Sequence, residues 1–259
     1  MKEETLKSFA ELLGIMDELR AKCPWDKEQT FESLRNLSVE EVYELSEAIF
    51  LNDLENVKKE LGDLLLHIVF YAKLGDEAGA FNMKDVIDNI NKKLIFRHPH
   101  VFGEEKVNNS TEVLENWENL KLKEKDGNKT VLSGIPKTLP ALIKAYRIQD
   151  KARGVGFDWD RKEQVWDKVQ EELNELKVEV KNNNQAKIKK EFGDLLFSII
   201  NAARLYDVHP EDALEETNRK FISRFNYLEK NTLKKGMKLK EMTLEEMDVY
   251  WNEAKAKEE

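Results

Sequence analysis

Two acidic segments recur in this chain at a fixed interval, and this recurrence constrains the fold more than any other feature. The segments EEVYELSEAI and ELGDLLLHIV begin at Glu40 and Glu60. Related segments, EELNELKVEV and EFGDLLFSII, begin 131 residues later, at Glu171 and Glu191. Self-similarity at one spacing is the signature of a duplicated structural unit. We therefore predict two tandem units with the same fold.

The boundary between the units is predicted at DGNKTVLSGIPKTLP, residues 126–140. This stretch gathers glycine, asparagine, serine and two prolines between segments of helical character. It separates an N-terminal unit at 1–125 from a C-terminal unit at 141–259.

Hydropathy repeats with a helical period along most of the chain. Only 5 prolines and 11 glycines interrupt 259 residues, of which 36% are charged and 41% hydrophobic. This composition favours long amphipathic helices around an apolar core. We predict a loop at HPHVFG (98–103), and the one extended candidate, KTVLSGI, has no partner strand. The fold class is therefore all-α, with helices predicted at 4–20, 38–51, 54–74, 82–97, 111–125, 141–151, 162–181, 185–206, 210–230 and 243–255.

Charge and composition limit the classes of function. The formal net charge is −9, and no basic face is evident, which disfavours a nucleic-acid polymer as partner. Cys23 is the only cysteine, so neither an intrachain disulfide nor a cysteine-based zinc site is expected. The first residues lack a signal-peptide core, and the longest apolar run, Leu64–Ala72, is too short to span a bilayer. We predict a cytoplasmic protein with no membrane partner.

Helical wheels place the acids of the C-terminal unit beside two apolar stripes. Glu172 lies at the edge of the first stripe, with Glu175 one step further out. Glu191 and Asp194 lie at the edge of the second. When two such helices pack antiparallel through their stripes, the four carboxylates converge at the rim of the interface. The predicted stripes are Val165, Val169, Leu173, Leu176 and Val180, and Ile188, Phe192, Leu195 and Ile199.

Carboxylates gathered in this way indicate a metal site. They repel one another unless cations lie among them, and all-oxygen ligation suits Mg²⁺, with Mn²⁺ as a substitute. Two such ions can clamp a phosphoanhydride and lower the pKa of an attacking water. A single pair of acids is more often a solvated helix face, but recurrence in both units favours metal. Gly62 and Gly193, at the same step of both copies, predict a close helix approach. The N-terminal acids Glu41, Glu44, Glu60 and Asp63 predict a second metal site.

Basic side chains near the acids suit a polyphosphate ligand. Each lysine alone is more often an ordinary solvated side chain, whereas two cations at i,i+4 on one face carry more weight. The N-terminal unit has Leu37 and Asn56 where the C-terminal unit has Lys168 and Lys187, which predicts weaker phosphate binding in the N-terminal unit. The candidate phosphate-binding residues are Lys168, Lys187, Lys190, Lys220 and Arg224.

Two tryptophans and one histidine allow more than one interpretation. Trp251 can stack on a base or pack in a core, and we favour contact with a ligand. Trp159 has the same two options, and we favour the core. His67 follows Asp63 by four residues and can ligate metal, but its counterpart is Ser198, which favours a buried, hydrogen-bonded histidine.

Taken together, the motifs resemble the MazG nucleoside triphosphate pyrophosphohydrolases, within the all-α NTP pyrophosphatase group. The pattern EExxE followed by ExxD occurs in both units, and the resemblance covers nearly the whole chain. The N-terminal motifs are CPWDKEQTFESL, EEVYELSEAI, ELGDLLLHIVFYA and RHPHVFG, and the C-terminal ones are GVGFDW, EELNEL, EFGDLLF and NRKFISRF.

The resemblance implies Mg²⁺-dependent hydrolysis of nucleoside triphosphates to monophosphate and pyrophosphate, with broad base tolerance and a role in nucleotide-pool house-cleaning. It implies a homodimer with four-helix-type cores, in which the C-terminal unit carries the activity. The N-terminal unit would be structural or regulatory, although its acids are intact. Position by position, it implies metal ligation by Glu172, Glu175, Glu191 and Asp194, nucleotide contact by Lys168, Lys187, Lys190, Lys220, Arg224 and Trp251, and a role for Glu171 as base or supporting carboxylate.

Two other classes remain as alternatives. A non-catalytic helical module would bind a nucleotide or a protein partner without releasing pyrophosphate. A di-iron carboxylate bundle is disfavoured, because it requires Glu-x-x-His ligand pairs and the sequence contains none.

Overall fold

A computed structural model describes residues 2–107, 109, 112–113, 120 and 130–258. These residues contain α-helices and no β-strand, which confirms the predicted all-α class. The eleven helices of the described residues are α1 (Lys2–Lys22), α2 (Pro24–Glu28), α3 (Phe31–Phe50), α4 (Leu54–Glu77), α5 (Met83–Arg97), α6 (Pro99–Phe102), α7 (Ala141–Arg153), α8 (Val165–Lys181), α9 (Gln185–Leu205), α10 (Pro210–Lys234) and α11 (Leu244–Lys255).

Two helix boundaries differ from the sequence-based prediction for identifiable reasons. Helix α3 begins at Phe31 rather than at 38, because Thr30 and Ser33 form a reciprocal capping box. The predicted loop HPHVFG instead contains the short helix α6, which Pro99 opens at a position where a missing N–H costs nothing. Most of the predicted helix 111–125 lies outside the described residues.

The chain divides into two compact units, Met1–Lys106 and Val107–Glu259. In the first unit α3 and α4 pack along each other, and α1 and α5 pack against α4. The buried core of this unit consists of Met16, Leu34, Val69, Phe70 and Leu74.

The second unit repeats the helical hairpin. Here α8 packs along α9, α7 packs against α9 and α10, and α10 packs against α11. Among the described residues, its buried apolar side chains include Val165, Leu176, Ile200, Leu228 and Tyr250.

The turn within each hairpin has the same unusual backbone conformation. Asn52 and Asn183, 131 residues apart, have positive φ angles of 57° and 51°. Asparagine adopts this left-handed conformation more readily than other residues with a Cβ. The next residue caps the following helix in both copies: Asp53 accepts from the Asn56 amide, and Asn184 accepts from the Lys187 amide. The duplication therefore extends to the chemistry of the turn.

Helix α9 buries a face that differs in part from the one its helical wheel predicts, whereas Val165 and Leu176 of the predicted α8 stripe are buried as expected. Glu191 and Ser198 of α9 are buried, whereas Phe192 and Ile199, assigned to the apolar stripe, are 51% and 45% exposed. The prediction of the α9 stripe was therefore wrong at those two positions. Within each hairpin the two helices direct acids toward each other, which leaves a second, apolar face toward solvent.

Candidate active site

Three carboxylates of the C-terminal hairpin converge between α8 and α9. Glu172 and Glu175 come from α8 at i,i+3, Glu191 comes from α9, and oxygens of all three lie within 4.8 Å of one another. Glu172 and Glu191 are each only 7% exposed, so these two acids lie within the interface rather than at its predicted rim, whereas Glu175 is exposed. We call Glu172, Glu175 and Glu191 the C-terminal acid cluster.

One oxygen of this cluster lacks a partner. Oε2 of Glu191 is buried and has no hydrogen bond among the described residues. A buried, unpaired carboxylate oxygen is unfavourable, because the desolvation of the charge is not offset. The residues present therefore fit a divalent cation, which oxygens from two helices would share.

Asp194 lies beside the cluster rather than within it. Lys190 Nζ lies 3.2 Å from Asp194 and 3.5 Å from Glu191 and so bridges the two acids. A hydrogen bond to Asp194, followed by the charges of Glu191 and Asp194, raises the pKa of Lys190. The Lys190 ammonium therefore links the fourth predicted acid to one member of the cluster.

A second lysine neutralises the acids from α8. Lys168 Nζ lies 2.8 Å from both Glu171 and Glu172. Hydrogen bonds to these two carboxylates raise the pKa of Lys168. Glu171 is therefore held next to the cluster through a shared lysine.

The N-terminal hairpin contains a related cluster, formed by Glu41 of α3 with Glu60 and Asp63 of α4. Here too one oxygen, Oε2 of Glu60, is buried without a partner among the described residues. Burial, followed by the charges of Asp63, Glu44 and Glu60, raises the pKa of Glu41. Lys59 pairs with Glu60 at 2.9 Å, as Lys190 does with Glu191.

The two clusters differ in which of the four predicted acid positions they contain. Glu44 is absent from the N-terminal group, and Asp194 is absent from the C-terminal one. Because Glu44 corresponds to Glu175 and Asp63 to Asp194, each of the four predicted positions belongs to a converging group in at least one unit.

A cavity of about 650 Å³ opens next to the C-terminal acid cluster. Lys168, Glu172 and Asp194 line one part of it. The remaining walls come from α7, α9 and the loop between α7 and α8, and apolar side chains dominate them. This volume is typical of sites for small organic ligands.

A family model of the MazG nucleotide pyrophosphohydrolase domain matches this chain twice, at residues 29–102 and 161–228. The chain belongs to the MazG family. The predicted enzyme class, nucleoside triphosphate pyrophosphohydrolase, is thereby confirmed at the level of the family. Both matches contain one acid-bearing hairpin, so the predicted duplication is also that of the family domain.

Similar proteins cover most of the chain. A protein from Thermotoga maritima, named nucleoside triphosphate pyrophosphohydrolase/pyrophosphatase MazG, is 46% identical over 97% of this chain and 97% of its own length. A nucleoside triphosphate pyrophosphohydrolase from Escherichia coli is 41% identical over 95% of this chain and 97% of its own length. A Bacillus subtilis protein, YabN, described as uncharacterized, is 46% identical over this whole chain, which spans 54% of that protein.

The other predicted nucleotide contacts of this MazG chain lie away from the cavity. Arg224 lies over the ring of Trp251, 5.7 Å from its centroid, and pairs with Glu258. The exposed side chain of Lys220 forms no ion pair within the described part of the chain. Lys187 pairs with Glu179 at 3.1 Å. Lys220, Arg224 and Trp251 form a basic and aromatic surface on α10 and α11. The pair of Lys187 and Glu179 is separate and lies on the acid-bearing hairpin.

Sequence reasoning missed an ion pair that holds the cavity loop. Arg204, only 7% exposed, donates to both carboxylate oxygens of Asp158 and to Asn201. Burial raises the pKa of Asp158, but hydrogen bonds from Arg204 and the Trp159 amide outweigh it and hold that pKa below its usual value. The signal was an arginine within the apolar run SIINAARL, since a buried charge requires a partner.

Two other predictions from the sequence, on Trp159 and on the paired glycines, were wrong. Trp159 is 39% exposed and lines the cavity, because the Asp158–Arg204 pair draws the loop onto α9 without covering it. Gly62 and Gly193 do not mark a close helix approach, since a Cβ at either position would meet nothing within 4 Å. Nothing in the structure explains these two glycines.

His67 is hydrogen-bonded and largely shielded from solvent, in line with the prediction. Its Nδ1 lies 3.1 Å from Ser38 Oγ, which also lies 2.8 Å from the Tyr71 hydroxyl. Burial lowers the pKa of His67, although the charge of Asp63 opposes this shift. The imidazole Nε2 lies 3.9 Å from Glu41, so this network borders the N-terminal acids.

Proposed function

We propose that this protein hydrolyses ribo- and deoxyribonucleoside triphosphates to nucleoside monophosphate and pyrophosphate, with Mg²⁺ and with broad base tolerance. The observation that carries the proposal is the C-terminal acid cluster, whose buried Glu191 oxygen lacks a partner next to a cavity of about 650 Å³. Membership of the MazG family and the names of the two long relatives support this chemistry. Such a reaction suits nucleotide-pool house-cleaning in the cytoplasm.

The donor set determines which cation we propose. Carboxylate oxygens are hard ligands, which favour Mg²⁺, with Mn²⁺ as a substitute. When bound, the metal neutralises phosphate charge and lowers the pKa of a coordinated water. The ligands we propose are Glu172, Glu175, Glu191 and Asp194.

The side chains around the cluster have separate tasks in the reaction. The oxygen of water bonds to the α-phosphorus, the bond to the bridging oxygen between the α- and β-phosphates breaks, and pyrophosphate leaves. Glu171, which pairs with Lys168 when nucleotide is absent, takes the proton of the attacking water. Lys168 and Lys190, which neutralise the carboxylates when nucleotide is absent, turn to the phosphate oxygens. Lys187, Lys220, Arg224 and Trp251 supply further contacts to the nucleotide.

The protein is proposed to act as a homodimer. Phe192, Leu196 and Ile199 of α9 are 51%, 55% and 45% exposed, and Leu61 and Ile68 of α4 are 53% and 46% exposed. Apolar faces of this kind on paired helices are usually covered by another protein surface. A second copy would cover them, with four-helix-type cores at the junction. The N-terminal unit would then serve mainly as structure or regulation.

In the described part of the chain, no helix has both the length and the apolar character that crossing a bilayer requires.

The decisive experiment follows the nucleoside monophosphate. A panel of canonical and modified nucleoside triphosphates is incubated with the protein and Mg²⁺, and the products are separated by chromatography. Pyrophosphate alone is an insufficient readout, because the name of the Thermotoga maritima relative includes pyrophosphatase. We expect monophosphate from most bases, its loss with EDTA and its return with Mg²⁺ or Mn²⁺. Nucleotide binding without monophosphate would instead identify the non-catalytic helical module.

A further inference from the structure

The cavity beside the C-terminal acid cluster continues past the acids into an aromatic compartment. Phe157 and Trp159 of the α7–α8 loop and Phe197 of α9 line it together with apolar residues of α7. Flat apolar walls of this kind suit a nucleobase, because every base can stack on aromatic rings. If phosphates are bound at Lys168 and the acids, as the proposed function requires, the rest of the nucleotide has this compartment next to it.

One polar group in the compartment wall lacks a hydrogen-bond partner for its oxygen. Gln149 is 6% exposed and donates from Nε2 to the Phe197 carbonyl at 2.8 Å. Since a carbonyl only accepts, this bond sets the orientation of the amide and identifies which end is Oε1. Oε1 is buried and has no hydrogen-bond partner among the described residues. Such an acceptor is costly to leave unpaired, so a donor on a ligand would gain from reaching it.

We propose, on the basis of the proposed function, that this compartment holds the nucleobase and that Gln149 Oε1 accepts a hydrogen bond from an N–H on the edge of the base. Adenine and cytosine offer an exocyclic amine, guanine an amine and a ring N–H, and uracil and thymine a ring N–H. One acceptor therefore serves every standard base, which gives broad base tolerance a structural origin. A base without an N–H on that edge is discriminated against.

The compartment is held in shape without a ligand. Asn201 Oδ1 and both carboxylate oxygens of Asp158 accept from the buried Arg204 guanidinium, which fixes the loop bearing Phe157 and Trp159. A preformed wall lowers the ordering cost of binding. Trp251 lies elsewhere, edge-on to Phe221 at 5.0 Å, and does not line the cavity.

Binding of uncleavable nucleotides tests the assignment independently of hydrolysis. The probes are the α,β-methylene analogues of ATP and of purine riboside triphosphate, which lacks the exocyclic amine, titrated with Mg²⁺ present. We expect wild-type protein to bind the ATP analogue about tenfold more tightly, the usual scale of one hydrogen bond. Gln149→Leu, which removes the acceptor at similar volume, is expected to abolish this preference by weakening the ATP analogue alone. Equal affinity of wild-type protein for the two probes overturns the proposal, even if Gln149→Leu fails to fold.

A second pair of variants tests the stacking wall. Phe157, which is 83% exposed, tolerates replacement, and Phe157→Ala is expected to weaken both probes by the same factor. Trp166→Ala removes an exposed aromatic residue outside the cavity and is expected to change neither affinity. If Trp251→Ala weakens binding and Phe157→Ala does not, the base lies on Trp251 and the proposal is overturned. Failure to release monophosphate would contradict the proposed function but leave these binding outcomes readable.

Discussion

The Lys168 ammonium lies 2.8 Å from the carboxylate of Glu172, so an amino group stands beside the carboxylates proposed to hold metal. The corresponding residue of the N-terminal unit is Leu37. Replacing Lys168 therefore tests two proposed roles of this residue, namely competition with a metal for the acids and attraction of phosphate.

The variant Lys168→Leu converts the C-terminal site to the N-terminal pattern at this position. We expect KM for a nucleoside triphosphate to rise by about tenfold or more, since a charge-assisted contact to phosphate is lost. Mn²⁺ binding without nucleotide, followed by electron paramagnetic resonance, is expected to tighten, because the competing ammonium has gone. Lys177→Leu, an exposed lysine on the same helix, is the matched control and should alter neither quantity. A parallel weakening of metal and nucleotide would contradict this division of roles.

Glu172→Gln and Asp194→Asn are each expected to lower kcat at least about a hundredfold, since each removes a proposed ligand of the cation that would stabilise the developing charge. The matched control is Glu41→Gln, which makes the same change at the equivalent N-terminal position. Monophosphate release is measured for all three, with circular dichroism to verify folding. Wild-type turnover in Asp194→Asn would show the site assignment to be wrong. A large loss in Glu41→Gln would show that the N-terminal site is catalytic or that the units are coupled.

The pair of buried Arg204 with the partly exposed Asp158 is expected to stabilise the C-terminal unit. Asp158→Asn leaves the buried guanidinium without its counterion; breaking a fully buried pair costs about 3–5 kcal/mol, and we expect a smaller loss of about 2 kcal/mol here because solvent reaches Asp158. The exposed pair of Lys238 and Glu241 serves as control, since surface pairs contribute about 0–1 kcal/mol and Glu241→Gln should have little effect. Urea unfolding monitored by circular dichroism measures both changes. Equal stability of the two variants would show that the Asp158–Arg204 pair contributes no more than an exposed pair.

The pKa of His67, lowered mainly by burial, predicts how the stability of the N-terminal unit depends on pH. Between the lowered folded pKa and the ordinary value near 6.5, the unfolded chain binds more protons than the folded one. The free energy of unfolding is therefore expected to rise with pH through this window, and stability is lost as pH falls below about 6.5. Denaturant titrations from pH 5 to 8 should show this dependence in wild-type protein and a smaller one in His67→Gln. An unchanged dependence in the variant would assign it to other groups.

The apolar face of α9 predicts how the chain associates. Ile199→Glu places a charge on a residue that is 45% exposed in one chain, so it should be tolerated in the monomer but disfavoured in a buried dimer interface. Sedimentation velocity is expected to show a homodimer for wild-type protein and a shift to monomer for the variant. Lys189→Glu, on an exposed lysine of the same helix, is the control for added negative charge. A variant that remains dimeric would place the interface elsewhere.

The acids were predictable because their signal is local. An i,i+3 pair of acids needs only helical periodicity to be placed on one face. The same pattern occurs around Glu41 and again around Glu172, which argues against a chance arrangement of surface acids. The buried face was not predictable in the same way. A helical wheel assigns apolar residues to the interior, whereas α9 buries Glu191 and exposes Phe192, because its apolar side chains occupy more than one face.

The cavity depends on contacts that are distant in sequence. The pair of Asp158 and Arg204 joins a loop to a helix 46 residues away, and Gln149 reaches the Phe197 carbonyl across 48 residues. Neither separation follows a helical period, so no pattern within one segment predicts them. Their polar character was the available clue, since buried polar groups require partners.

The turn at Asn183 has a consequence for how far the hairpin can vary. One residue inserted into α9 between its cap, Asn184, and Glu191 would rotate the residues beyond it by about 100° relative to α8, because each helical residue advances the chain by that angle. Glu191 would then no longer face Glu172, although every carboxylate would still be in place along the sequence. The spacing between the turn and the buried acid is thus under the same geometric restriction as the ligands themselves, and the two halves of the molecule share it, since Glu60 follows Asn52 at the same separation as Glu191 follows Asn183.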